Sequence, residues 1–167
     1  MCGISGIVFN NERIAQDSIS YAKFLNNIIK LETEFKSDPY IDKLYDISWN
    51  LKNNNSFLNY YCNKDEQYAV IKICNFLDKF ISKKEKKVNV ENNNHLFNNK
   101  LEKLRDIKWF LETELTQTKK FVDSFLKPND NRLNNSNAIL FYKNLSIIIN
   151  SINFLEMRGR DSLGISI

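Results

Sequence analysis

Apolar residues recur along most of this chain at intervals of three and four, the spacing of one face of an α-helix. Over residues 12–36 the positions Ile14, Tyr21, Leu25, Ile28, Ile29 and Leu31 approximate a 3.6-residue period and predict a first helix. Ser37-Asp38-Pro39 ends it and starts the next, with Asp38 as N-cap and Pro39 at the first helical position. The second helix carries Ile41, Leu44, Tyr45, Ile47, Ser48 and Leu51, and Asn53-Asn54-Asn55 breaks it ahead of a short piece over 57–61. A third helix starts near Asp65, carries Tyr68, Val70, Ile71, Cys74, Leu77, Phe80 and Ile81, and ends in the cluster Lys83-Lys84-Glu85-Lys86-Lys87. After a polar, Asn-rich stretch over 88–94, a fourth helix is expected over 95–127, where Pro128 stops it. A fifth, over 136–157, is apolar on most sides, which predicts a central, buried helix.

The two ends read differently. Residues 3–9, G-I-S-G-I-V-F, are short, apolar and β-branched, like a buried strand, and 162–167, S-L-G-I-S-I, repeat that character. The chain has 4 Gly, at positions 3, 6, 159 and 164, so the long middle lacks the residues that tight β-turns favour. The expected class is therefore mostly α with a small β element at the ends.

Composition narrows the function classes. A chain of 167 residues is long enough for one core, and its 43% hydrophobic and 26% charged content is ordinary for a globular protein. No run of about 18 apolar residues marks a membrane span, and the N-terminus lacks the basic and apolar regions of a secretory signal. Three cysteines make no disulfide framework. Cys62 and Cys74 have no metal-ligand spacing and a single histidine, His95, for company; they read as reduced thiols of the core or its boundary in a cytoplasmic protein. The net charge of +4 is not gathered into a basic stripe with interleaved aromatics. The lysine cluster reads as a solvated helix end favoured by the helix dipole, and neither nucleic acid nor membrane is expected as a partner.

The residues that carry chemistry stand at the start, Met1-Cys2-Gly3-Ile4. Removal of Met1 ahead of a small residue is expected, and Cys2 would then bear both a thiol and a free α-amino group. Their ordinary pKa values are about 8.5 and about 7.7 to 8.0, so one residue supplies a nucleophile and a neighbouring base. Such a thiolate can attack a carboxamide carbonyl, form a thioester and release ammonia. Gly3 permits close backbone approach at the reacting centre.

Cys2-Gly3-Ile4-Ser5-Gly6 resembles the opening of the class II, N-terminal-nucleophile glutamine amidotransferases. Arg158-Gly159-Arg160-Asp161-Ser162-Leu163-Gly164 is similar to the R-G-x-D-S-x-G segment of the same superfamily. Within it, Asp161-Ser162 and Gly164 look most like the glutamine–fructose-6-phosphate aminotransferases, while Arg160 and Leu163 depart from the commonest residues there. The resemblance covers about ten residues at the start and roughly twenty at the end. It implies a partial αββα sandwich divided as residues 1–10, first strand; 11–135, an all-α insertion; and 136–167, a helix leading into a second strand. It names Cys2 as the catalytic residue. Gly3, Arg158, Gly159 and Asp161 are implied as structural or supporting residues. Arg158 and Asp161 either tie the helix end to the strand or favour the thiolate electrostatically.

The family's T-R-W-A-T-H-G-like segment for the glutamine carboxylate, and its Asn-Gly oxyanion pair, have no counterpart in this sequence. The expectation is thus the N-terminal piece of a longer enzyme, nearly inactive alone, since one missing oxyanion donor costs about 10² to 10³ in rate. The resemblance implies glutamine as substrate, no cofactor and no metal. It also implies an ammonia acceptor, a sugar phosphate, in a downstream synthase or isomerase domain, and a homo-oligomeric full-length enzyme. Rival readings are a non-catalytic helical interaction module with a relic amidotransferase terminus, or another class II enzyme such as amidophosphoribosyltransferase or asparagine synthetase.

Overall fold

In a computed structural model the structure describes residues 19–88, 95–126 and 135–156. The chain divides into two compact units, Gln16–Thr116 and a second made of Met1–Ala15 with Gln117–Ile167.

The unit Gln16–Thr116 is built from helices alone among its described residues. Helix α1 (Tyr21–Ile29) begins at an extended Ser20, whose hydroxyl accepts from the Lys23 amide at 3.4 Å. A one-turn α2 (Leu31–Glu34) follows. The single helix expected over 12–36 is therefore broken at Lys30, and residues 12–18 lie outside the described residues. Helix α3 (Asp38–Asn50) has Ser37 rather than Asp38 at its N-cap position, without a side-chain cap bond, and Pro39 in its first turn. Asn53 begins α4 (Asn54–Cys62), its side-chain oxygen accepting from the Ser56 amide at 2.7 Å. The asparagine run is thus a helix start, because a short side chain with an acceptor satisfies the free amides of a first turn. Helix α5 (Lys64–Val88) and α6 (His95–Trp109) are the long elements, and α6 passes without a break into a π-helical segment, Phe110–Leu115.

Ion pairs reveal how these helices run. Asp38 pairs with Lys100 at 2.5 Å, Asp42 with Lys103 at 2.6 Å and Lys52 with Glu114 at 2.9 Å, so α3 and α6 ascend side by side in the same direction. Glu85 pairs with Arg105 at 2.6 Å and Asp78 with Lys108, so α5 and α6 run antiparallel. The core they enclose includes Tyr21, Phe24, Ile28, Ile41, Leu44, Leu51, Ile73, Leu77, Leu104 and Ile107, all essentially without solvent exposure. Phe35 packs edge-on against Phe80 at 5.3 Å and Phe97 at 5.5 Å, which closes the end near the lysine cluster. There Lys84 lies 4.4 Å from the Phe35 ring centroid, so part of that cluster lies on aromatic surface rather than in water.

In the second unit the described elements are α7 (Thr116–Phe125, which starts at the last residue of the first unit) and α8 (Ser136–Glu156). Phe125 stacks on Tyr142 with centroids 4.9 Å apart. Helix α8 departs from the central, fully buried helix that its sequence predicts. Ile139, Lys143 and Ser146 are buried, Phe141 is exposed, and Leu140 and Ile147–Ile149 are only half-buried.

The β element is corrected. Among the described residues every element is a helix and there is no strand or sheet, so the αββα sandwich is not supported. The physical reason lies in the spacing: the described segments repeat at three and four residues and close their backbone hydrogen bonds within themselves, which leaves no row of amides and carbonyls for a ladder. Residues 1–10 and 162–167, read as strands, lie outside the described residues. No helix among the described residues is long and apolar enough to cross a membrane.

Candidate functional site

The residues that carry the expected chemistry, Cys2, Gly3, Arg158, Gly159 and Asp161, all lie outside the described residues. The described structure therefore brings none of them together, and their chemistry rests on the sequence. What the structure does define is a set of polar nodes in the helical unit.

The most enclosed is Glu66, in the first turn of α5. Its carboxylate is buried and accepts from the Ser20 hydroxyl at 2.6 Å, the Tyr21 amide at 2.6 Å and the Ala22 amide at 3.2 Å. These are free amides of the α1 N-terminus, where the helix dipole also favours a negative charge. The Tyr21 hydroxyl donates to the Leu51 carbonyl at 3.2 Å, and the Ile19 amide donates to Ser56 Oγ at 3.0 Å. One carboxylate thus anchors the start of α1 onto α5. Burial, and then the charges of Tyr60, Glu66 and Glu114, raise the Tyr21 phenol far above its ordinary value. Both carboxylate oxygens are occupied by donors, so the node serves as a cap rather than as an acid or base.

A second node surrounds Cys74 on α5. Burial, followed by the negative charge of Glu112, pushes this thiol up to about 11; Lys108 works in the opposite direction. A thiol so protonated is a poor nucleophile at neutral pH. Lys108 is itself held above its ordinary value, first by its hydrogen bond to Asp78. Cys62 is exposed and, like Cys74, free. Among the described residues no group of histidine, cysteine, aspartate and glutamate is arranged to hold a metal ion.

Sequence reading missed Glu66. The signal was present: position 66 falls on the same helical face as Ala69, Val70, Ile73 and Leu77, and a carboxylate on a buried face needs donors supplied by another element. It also missed the π-helical segment. No family model, no curated protein and no solved structure matches this chain.

Proposed function

We propose that this chain is the N-terminal part of a glutamine-dependent amidotransferase, with Cys2 as its nucleophile. The observation that carries the reading is the pair of motif segments, Cys2-Gly3-Ile4-Ser5-Gly6 and Arg158-Gly159-Arg160-Asp161-Ser162-Leu163-Gly164, separated in the chain by a helical body. With Met1 removed, the α-amino group of Cys2 accepts the thiol proton. The thiolate then attacks the glutamine carboxamide carbon, the C–N bond breaks, and ammonia leaves with a proton. Water hydrolyses the thioester to glutamate and regenerates the thiol. The ammonia passes to an acceptor, a sugar phosphate in the reading closest to the second motif, on a further domain of a longer enzyme.

The helical unit Gln16–Thr116 supports a division of labour. The two cysteines it contains are exposed or protonated at neutral pH, and its buried carboxylate is saturated with donors.

Intact-mass spectrometry of the natively expressed protein, with and without the glutamine analogue diazo-oxo-norleucine, tests the reading. The expected result is a chain lacking Met1 that takes one adduct, mapped to Cys2 and abolished by Cys2→Ala. A chain that keeps Met1 and takes no adduct, or takes it at Cys62 or Cys74, overturns it.

A further inference from the structure

The π-helical segment Phe110–Leu115 interrupts an otherwise regular helix, and its cause is legible in the register of its residues. An α-helix turns about 100° per residue. Continued in that phase from Ile107, it would bring Glu114 to within about 20° of Ile107, between the buried Phe110 and Ile107. Observed, Glu114 stands half-exposed, off the face on which Ile107, Leu111 and Leu115 are buried. A turn closed by i→i+5 bonds advances less per residue, roughly 85°, which carries Glu114 out beside Phe110 and returns Leu115 to the face of Ile107. The wide turn thus moves a carboxylate off the buried face.

Glu114 arrives at Lys52, in the turn after α3. The Lys52 ammonium lies 2.9 Å from the Glu114 carboxylate, 4.8 Å from the Phe110 ring centroid and 4.6 Å from that of Trp49. It therefore grips the first residue of the wide turn and the fifth at once, while Trp49, stacked on Tyr45, backs it from α3. The Thr116 hydroxyl donates to the Leu111 carbonyl at 3.0 Å, which supplies a further bond to the backbone of the wide turn.

We infer that the Lys52 ammonium is a pin that holds the helix Phe110–Leu115 in the π register. With Lys52 neutral, Glu114 loses its partner outside the buried face and Phe110 loses its cation. The wide turn then loses a contact at its first residue and at its fifth and opens more often, because its i→i+5 bonds are less well aligned than those of an α-helix.

Hydrogen exchange of the full 167-residue chain, followed by mass spectrometry on peptides covering 110–116 and, as an internal reference, 69–81 of α5, reads this directly. Lys52→Gln is expected to speed exchange in 110–116 by about tenfold and to leave 69–81 within about twofold. Lys52→Arg, which keeps the cation, is expected to stay near the wild-type pattern. If Lys52→Gln does not fold, Glu114→Gln decides instead, because it removes the charge pair and keeps the ring contacts; a smaller but still local acceleration is then expected. Unchanged exchange in 110–116, an equal acceleration in 69–81, or loss of protection in Lys52→Arg matching that in Lys52→Gln overturns the proposal.

Discussion

Helices α5 and α8 are both long, 25 and 21 residues, yet they answer burial in different ways. Helix α5 has one buried face, from Glu66 through Ala69, Val70, Ile73 and Leu77 to Phe80, while Lys72, Lys79 and Lys83 stand in water on its far side. Even the charge on its buried face is fully used, because Glu66 serves the amides of α1. Helix α8 carries isoleucines and leucines around most of its circumference, and most of them are half-buried, while Lys143 and Ser146 are buried. An amphipathic pattern specifies which way a helix faces. An apolar surface on every side specifies only that water is disfavoured, and leaves orientation to the contacts available.

Truncation in the two helical regions measures that difference. Leu104→Ala, at a site without solvent exposure in the core shared by α5 and α6, should cost about 2 to 5 kcal/mol of unfolding free energy in urea denaturation. Ile148→Ala on α8 should cost less than half as much, since a half-buried side chain has less transfer energy to lose and leaves no closed cavity. Equal losses would erase the contrast between the helices.

The carboxylate node predicts a smaller effect. Glu66→Ala leaves the buried Tyr21 amide without its acceptor and should destabilise by about 1 to 3 kcal/mol. Its signature is local: amide exchange at residues 21–24 accelerates before that of α6. A uniform change across the unit would show that Glu66 acts through packing instead.

Smallest is the response to alkali, and its sign is fixed. The Cys74 thiol ionises near 9 ordinarily and at about 11 in the fold, because burial and then Glu112 raise it. The unfolded chain therefore loses this proton first. The contribution to stability is complete below pH 9 and is lost as pH rises from 9 to 11. Tyr21, raised by burial, extends the loss above its ordinary value of 10. Stability measured against pH should fall over this range, and Cys74→Ala should flatten the part between 9 and 11. An unchanged slope in that variant would place the loss elsewhere.

Much of the helical unit was legible in the residues themselves. The break at Ser37-Asp38-Pro39, the start of α5 close to Asp65 and the start of α8 at Ser136 follow from proline geometry, caps and the 3.6-residue period, which act within a few residues of chain. The interruption at Lys30 and the cap role of Asn53 were not legible. A helix that could continue, and an asparagine that could sit in a loop, are decided by which neighbours offer burial and which free amides need an acceptor. The strands read at the two ends were inferred from β-branched composition and lie outside the described residues, among which every element is a helix. The candidate site divides the same way: Cys2, Gly3, Arg158, Gly159 and Asp161 are known by their order in the chain, whereas Glu66 and Lys52 acquire meaning only from what the fold sets against them.

By itself the sequence determined the helical character of the middle of the chain, most of its breaks, and the order of two short motifs, Cys2-Gly3-Ile4-Ser5-Gly6 and the segment near residue 160. Tertiary structure decided the rest. It alone set α3 parallel and α5 antiparallel to α6, made a buried glutamate the cap of a helix 45 residues away, and widened one helical turn where Glu114 meets Lys52. The reason is range. Propensity, capping and periodicity act between neighbours in the chain, whereas the desolvation of a charge or a side chain depends on groups the chain brings back from far away.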